Sequence, residues 1–448
     1  MNNVLATLID ILSQPAILVA LIALIGLLAQ RKNLSDTMKG TTKTFVGFLV
    51  IAAGAGILET SLVPFGDMFQ EAFNVSGVVP NNEAIVALAL NEYGSNTALI
   101  MFFGMIVNIL IARFTRFKYI FLTGHHTLYM ACMLAVIMAV AGFNTVPLIA
   151  AGSVALGIIM TLSPAILQPF MRKLTGNDNV ALGHFSAVGY ALSGLVGKAV
   201  KGKESTSTEK IDFPKGLGFL RDSTVSIALT MVVMYFVVAL AAGPAFIEAE
   251  LSDDTNYLVF SLIQAGNFAA GVFIILAGVR LVLAEIVPAF KGISTKLVPN
   301  AKPALDVPIV FTYAPNAVLI GFFSSFVGGL FSMIIMAVVG STIILPGVVP
   351  HFFTGAAAGV FGNATGGVKG AVAGSFVNGI IISFLPVFLL PVLGDLGFAN
   401  TTFSDADFGV GGIFFGTLAN YAGPMAIVIS LVVILVLMAI PFRSKKSA

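Results

Sequence analysis

MNNVLATLIDILSQPAILVALIALIGLLAQRKN (residues 1–33) carries a long apolar run with no basic residue ahead of it, and Arg31 and Lys32 follow the run directly. The run is too long for the core of a signal peptide. Because Lys and Arg mark the cytoplasmic side of membrane helices, we interpret the segment as a retained first transmembrane helix whose N-terminus lies outside.

The composition of the whole chain agrees with this interpretation. Of its 448 residues, 58% are hydrophobic and 10% are charged, whereas a soluble domain carries roughly 25% charged residues. Apolar runs recur along the chain, and the short alternating segments of a membrane barrel are absent. The sequence therefore predicts an all-α polytopic membrane protein. A net charge of +2 does not suggest a nucleic-acid partner.

Basic clusters alternate with connections that contain no Lys or Arg, namely 63–83, 142–147, 244–256 and 394–409. The alternation predicts about eleven crossings, with the C-terminus in the cytoplasm. The expected crossings are 10–30, 44–62, 84–112, 125–142, 147–170, 223–243, 256–279, 314–340, 342–366, 370–392 and 411–440.

An odd number of crossings allows a division into five, five and one, in which the second five begin on the opposite side of the membrane. Such an inverted repeat is a common plan of transporters. The expected parts are a first membrane half (1–197), a cytoplasmic linker (198–221), a second membrane half (222–393) and a final part (394–448). The final part contains a periplasmic loop, the last helix and a basic tail. The polar linker is either a solvated hinge or a docking surface for a soluble partner.

Polar residues, Gly or Pro interrupt three apolar runs, at 83–102 (with NEYGSN), 303–323 (with TYAPN) and 341–363 (with LPGVVPH). Unwound backbone at membrane depth persists only where it lines a cavity or is buried in protein. The first and third runs are therefore candidate re-entrant hairpins, one in each half. The alternative is that Gly and Pro are ordinary in membrane helices.

Asp306 and two Gly-His pairs, which contain His125 and His184, are the candidate binding residues. An ionisable side chain is costly in an apolar segment, and a neutral imidazole both donates and accepts hydrogen bonds, as a hydroxyl-rich solute does. For a single histidine, an interhelical hydrogen bond is the alternative. His126, about 100° around the helix from His125, is expected to pack or to meet the interface and not to bind.

No phosphate loop, zinc motif or nucleophile elbow is visible, so neither a cofactor nor a catalytic group is expected. Cys132 lies in an apolar run, a poor environment for a reactive thiolate, and is interpreted as a packed side chain. Transport must then be driven by an ion gradient or by a separate soluble protein.

Six blocks of sequence, spread over nearly the whole chain, resemble the ascorbate-specific permease, the enzyme IIC component of the bacterial phosphoenolpyruvate-dependent sugar phosphotransferase system. The APNAV block is the most specific. The blocks are KGTTKTFVGFLVIAAGAGIL (39–58), LTGHH (122–126), ALGH (181–184), GVRLVLAEIVPAFKGIS (278–294), ALDVPIVFTYAPNAVLIGF (304–322) and ILPGVVPHFF (344–353).

The resemblance implies a homodimer in the bacterial inner membrane, in which V-shaped helix units form a scaffold and core units carry the sugar in an elevator-like movement. It also implies phosphorylation by cytoplasmic IIB and IIA partners, with no phosphorylated residue in this chain. The implied sugar-binding positions are Gly54, His125, His184 and Asp306, and Asn82 and Glu83 lie near another one.

Two positions depart from the family pattern. Tyr129 and Phe185 stand where the ascorbate permeases have glutamine, and both changes remove an amide that donates and accepts. Tyr129 lies one turn after His125 on the same helix face. A related sugar or sugar acid is therefore an alternative substrate to ascorbate. A different mechanism, a proton- or sodium-coupled transporter of a small polar solute, would use Glu83, Glu285 or Asp306.

Overall fold

The computed structural model of the protein describes residues 15–73, 78–80, 82–202, 205–211, 223–398 and 401–440. Several predicted features lie outside the described residues. They are the start of the first crossing, residues 203–204 and 212–221 of the linker, and the basic tail.

The described part of the chain is mainly helical, as predicted. Apolar helices satisfy their own backbone hydrogen bonds, which is what a membrane-embedded chain needs. The helices are α1 (Pro15–Ala29), α2 (Leu34–Phe73), α3 (Asn82–Phe114), α4 (Gly124–Val140), α5 (Thr145–Thr175), α6 (Ala187–Ala199), α7 (Ser223–Ala242), α8 (Pro244–Glu250), α9 (Tyr257–Lys296), α10 (Pro308–Phe311), α11 (Pro315–Val339), α12 (Ala356–Leu389), α13 (Ala406–Ala422) and α14 (Pro424–Ala439).

Among the described residues, four helical stretches are long and apolar enough to cross a membrane, and α7 with α8, bent by 102° at their junction, would make a fifth. The four are Glu92–Phe114, Thr145–Thr175, Pro315–Val339 and His351–Val392. The larger number of crossings stays a prediction.

The helices pack in two groups. The 40-residue helices α2 and α9 lie against each other, with α1 and α7 beside them. At about 60 Å each, they are roughly twice the thickness of the hydrocarbon core. In the second group α3 packs on α4 and α5, while α12 packs on both α6 and α11. Cys132 is buried in the second group, as expected.

A helical hairpin follows the third predicted interruption. The turn Val348–Pro350 and the π-helical turn His351–Gly355 lead into α12, which reverses at Gly367, where φ is 65°. Across the hairpin, Ser375 Oγ donates to the Gly355 carbonyl (3.1 Å). The crossings expected at 342–366 and 370–392 are thus the two arms of this hairpin.

Two sequence expectations are wrong. NEYGSN does not interrupt a helix, because α3 runs through residues 82–114 and pairs its backbone groups internally. There is accordingly no hairpin at the first predicted interruption. The last expected crossing, 411–440, is two helices, because the chain turns at Gly423 (φ 74°) and Pro424 starts a new helix.

The described residues include five very short strands, none of which was predicted, in two small parallel arrangements. They are β1 (Val79–Pro80), β2 (Tyr119–Phe121), β3 (Ala181–Leu182), β4 (Lys302–Leu305) and β5 (Thr401–Thr402). β4 lies between β2 and β3, with Tyr119 opposite Lys302. β1 pairs with β5, and its neighbour Val78 bridges to Ile344. In the three-stranded arrangement the central strand β4 comes from the predicted second half and its neighbours from the first, whereas β1 of the first half pairs with β5 of the predicted final part. The inverted repeat stays a prediction.

Part of the predicted linker is bonded to the second half. Glu209 Oε1 accepts from the backbone N–H groups of Asn316 (2.9 Å) and Ala317 (3.2 Å) at the start of α11. The Thr206 carbonyl accepts from Val368 N (2.9 Å) at the hairpin tip. The described linker residues 205–211 are therefore held against the second half by hydrogen bonds.

Candidate functional site

The ends of the short strands bring the polar residues together. Neighbouring parallel strands end at the same edge, so the residues that follow them share one region. β2 is followed by His125 and His126, β3 by His184, and β4 by Asp306. The ends of β1 and β5 supply Asn82 and Asp405 from the other arrangement.

His125 and Asp306 form the accessible part of the site. His125 Nε2 lies 3.7 Å from Asp306 Oδ2, and their side chains are 35% and 18% exposed. The other carboxylate oxygen accepts from Val307 N at 2.7 Å, which orients the group. Tyr129 lies beside them, its ring edge-on to His125 at a centroid distance of 5.9 Å. The structure thus places three of the predicted residues together in a position that a solute can reach.

Behind this pair lies a buried cluster of His126, His184 and Asp405. The His126 and His184 ring centroids are 3.9 Å apart. Asp405 Oδ2 lies 3.8 Å from His126 Nδ1 and 3.7 Å from His184 Nδ1. His126 is buried, and the start of α4 directs its ring toward His184 and Asp405, at the ends of β3 and β5.

Several hydrogen bonds orient the buried cluster. Asn82 Nδ2 (3.3 Å) and Ser404 Oγ (2.9 Å) donate to Asp405 Oδ1, and Asn82 Oδ1 accepts from Ser404 N (3.0 Å). The Tyr190 hydroxyl lies 2.9 Å from His184 Nδ1. Asn82 therefore belongs to the site through Asp405 and not through the His125–Asp306 pair.

Two predicted residues are placed away from the accessible pair. Phe185 is fully buried and stacks on Phe121 (centroids 4.5 Å apart), so it forms the apolar wall behind the histidines. Gly54 is buried within α2, in the other helix group. The side chain of Glu83 lies outside the described part, as does that of Glu285.

Asp405 is the main functional candidate that the sequence reasoning missed. It lies in the segment SDAD, at the end of a basic-poor connection that was interpreted as a periplasmic loop. The feature of the sequence that could have identified it is a pair of acidic residues, Asp405 and Asp407, at the start of an apolar helix. The second of them, Asp407, accepts from Ala187 N (3.1 Å), Val188 N (2.9 Å) and Ser163 Oγ (2.7 Å), and so caps the start of α6.

An ion cluster at the C-terminal end of α5 anchors the start of β4. Asp178, in the loop after α5, accepts from Lys302 Nζ, from Arg172 Nε (2.8 Å) and from Gln168 Nε2 (2.8 Å). Burial acts to raise the pKa of Asp178, but these hydrogen bonds outweigh it and lower its pKa from 3.8 to about 2. The strand that leads to Asp306 is thus held at its first residue, Lys302.

Asp178→Asn is expected to lower the melting temperature at neutral pH, by an amount that vanishes in acid. The pKa of Asp178 is lower in the folded than in the unfolded protein. Its ionised carboxylate therefore stabilises the folded state fully above pH 3.8, and this stabilisation is lost as the pH falls toward about 2. Melting curves of the purified wild type and variant between pH 7 and pH 2 measure this. A difference that is largest in acid would contradict the assignment.

Comparison with known proteins gives the same class as the fold. A family model described as EIIC-GAT, the sugar-specific permease component of the phosphotransferase system, matches residues 10–407. The chain is 28% identical over 432 residues to the ascorbate-specific phosphotransferase-system EIIC component of Mycoplasma pneumoniae. That match covers 84% of this chain and 65% of the relative, so the chain spans about two thirds of the relative's length. With a family model that covers most of the chain and several apolar helices able to cross a membrane, this multi-pass membrane protein belongs to the EIIC-GAT family of phosphotransferase-system sugar permeases.

Proposed function

We propose that this protein carries ascorbate, or a related sugar or sugar acid, across the bacterial inner membrane, and that cytoplasmic IIB and IIA proteins phosphorylate the solute. The His125–Asp306 pair carries the proposal. It combines a carboxylate acceptor with an imidazole, both partly exposed, in a chain that belongs to a sugar-permease family. Hydroxyl groups that both donate and accept suit this pair.

The arrangement of the helices supports an elevator-like movement. The long helices α2 and α9, with α1 and α7, form a group apart from the helices that hold the site. In the proposal the first group is the scaffold, through which two copies form a homodimer, and the second group moves with the solute. The N-terminus faces outward and the C-terminus inward. The IIB protein docks on the cytoplasmic side, near the basic linker.

The two departures from the family pattern affect the site unequally. The Tyr129 ring, which carries a hydroxyl, lies edge-on to His125 of the accessible pair. Phe185 stays in the apolar wall. Tyr129 is therefore the residue that we expect to set the preference between ascorbate and a related solute.

Uptake of labelled ascorbate in cells that express this protein should depend on the general phosphotransferase proteins. We expect uptake to fall to background when those proteins are deleted, because the proposed transport is driven by phosphorylation of the solute. The label recovered from competent cells should be phosphorylated. Cells without the protein provide the control.

A second candidate function is ion-coupled transport of a small polar solute. It is favoured by the close grouping of titratable side chains, three histidines and two carboxylates, at one site. Unchanged accumulation of unmodified solute in cells that lack the general phosphotransferase proteins would favour ion-coupled transport over phosphorylation-coupled transport. Uptake into liposomes driven by a pH gradient alone would establish it.

A further inference from the structure

We propose that His126, His184 and Asp405 bind a divalent transition-metal ion of the Zn²⁺ class, directly behind the accessible His125–Asp306 pair. The three residues come from the ends of three different strands, β2, β3 and β5. Their ligand atoms all lie within 4.8 Å of one another. The inference concerns ion binding and does not depend on which solute the protein carries.

The spacing of the ligand atoms favours an ion over direct hydrogen bonding. Asp405 Oδ2 lies 3.7 Å from His184 Nδ1 and 3.8 Å from His126 Nδ1, and both distances are too long for a hydrogen bond. Around a tetrahedral Zn²⁺ with bonds of about 2.1 Å, neighbouring ligand atoms are about 3.4 Å apart. His126 Nδ1 and Asp405 Oδ2, 3.8 Å apart, are close to this spacing, and a contraction that brings in His184 would complete the coordination of an ion.

His126 supplies an independent observation. Its side chain is 5% exposed, and its Nδ1 has no hydrogen-bond partner in the described structure. Buried polar atoms without a partner are uncommon and need an explanation. A bound metal ion would use the lone pair of this nitrogen.

The surroundings of the other two ligands resemble those of known metal sites. Ligating carboxylates and histidines are commonly held by outer hydrogen bonds. Asn82 and Ser404 donate to Asp405 Oδ1, while Oδ2 faces the histidines. Tyr190 contacts His184 Nδ1, and the tautomer that donates to Tyr190 leaves Nε2 as a ligand for the ion.

The donor set selects the class of metal. Two imidazoles and one carboxylate suit Zn²⁺ and its neighbours, whereas Ca²⁺ and Mg²⁺ require six or more oxygen ligands. Three protein ligands leave a fourth position for a water molecule or a solute hydroxyl. The ion would also offset the charge of Asp405, whose side chain is only 4% exposed.

The test uses the full-length protein in detergent, purified through a tag that contains no histidine. After exposure to Zn²⁺ and exhaustive dialysis, elemental analysis should find about one equivalent per chain. Co²⁺ in its place should give the visible absorption of a tetrahedral site. His126→Ala and Asp405→Asn should abolish both signals, and Asn82→Ala should weaken binding by about 10–100-fold.

Two control variants locate the ion. His351→Asn alters a buried histidine that pairs with Ser325 (2.9 Å), away from the cluster, and should retain the metal. His125→Ala should also retain it. If His125→Ala loses the metal while Asp405→Asn keeps it, the ion belongs to the neighbouring group of His125, His126 and Asp306, and the assignment is wrong.

The melting temperature of the wild type tests the proposal even if the variants do not fold. Chelation should lower its melting temperature, and Zn²⁺ should restore it, because a ligand of the folded state stabilises that state. Monodisperse wild-type protein that retains no metal, shows no Co²⁺ spectrum and melts identically with and without Zn²⁺ would overturn the proposal.

Discussion

Asp306→Asn should reduce solute uptake at least tenfold while the protein still inserts into the membrane. The Asp306 carboxylate faces His125 at the accessible end of the site and is the charged acceptor available to a solute hydroxyl. A hydrogen bond to a charged group contributes about 1.5–3 kcal/mol, which corresponds to roughly 10–150-fold in binding. The amide of Asn keeps the size of the side chain but removes its charge.

The measurement is initial uptake of labelled solute, normalised to the amount of protein in the membrane fraction. Asp36→Asn provides a matched control, because Asp36 is exposed at the start of α2 and pairs with Asn33 (3.0 Å) outside the site. Near-normal uptake by the Asp306 variant would remove this residue from the site.

Gly379→Ala should destabilise the protein by about 1–3 kcal/mol, the usual cost of overpacking. A Cβ at Gly379 would lie well inside 3.0 Å of the Ser325 backbone carbonyl on α11, which cannot rotate away as a side chain can. Gly321 on α11 makes the same kind of approach to Gly359 on α12. Small residues at such contacts let membrane helices pack backbone to backbone.

Thermal unfolding in detergent measures this effect. Gly266→Ala is the matched control, since a Cβ added at Gly266 on α9 meets nothing within 4 Å. This variant should melt at or slightly above the wild-type temperature, because Ala favours a helix over Gly by about 1 kcal/mol. Equal melting temperatures for the two variants would show that α11 and α12 are not closely packed.

The helices and part of the site were predictable for related reasons. Apolar runs with basic flanks indicate membrane helices, because inside a bilayer the backbone must bond to itself. A charged or imidazole side chain beside such a run costs free energy and is therefore commonly functional. This criterion identified His125, His184 and Asp306. The helical period placed Tyr129 on the face of His125, and the two rings are indeed in contact.

Other features left no readable signal. The strands are two to four residues long, too short for an alternating pattern to show. NEYGSN has the composition of a loop, yet it lies within α3, where packing and helix hydrogen bonds override local preference. The contacts of His126 with His184 and Asp405 could not be predicted from the face of one helix, because they depend on strands elsewhere in the chain.

The sequence by itself determined that this is a helical membrane protein of a sugar-permease family, and it identified the accessible pair of the site. Both follow from local properties, namely hydropathy, charge placement and short motifs. Only the tertiary structure decided that His126 and Asp405, 279 residues apart in the chain, meet beside His184. The reason is physical: strands from distant parts of the chain must pair before their ends converge, and no local pattern specifies such a distant pairing.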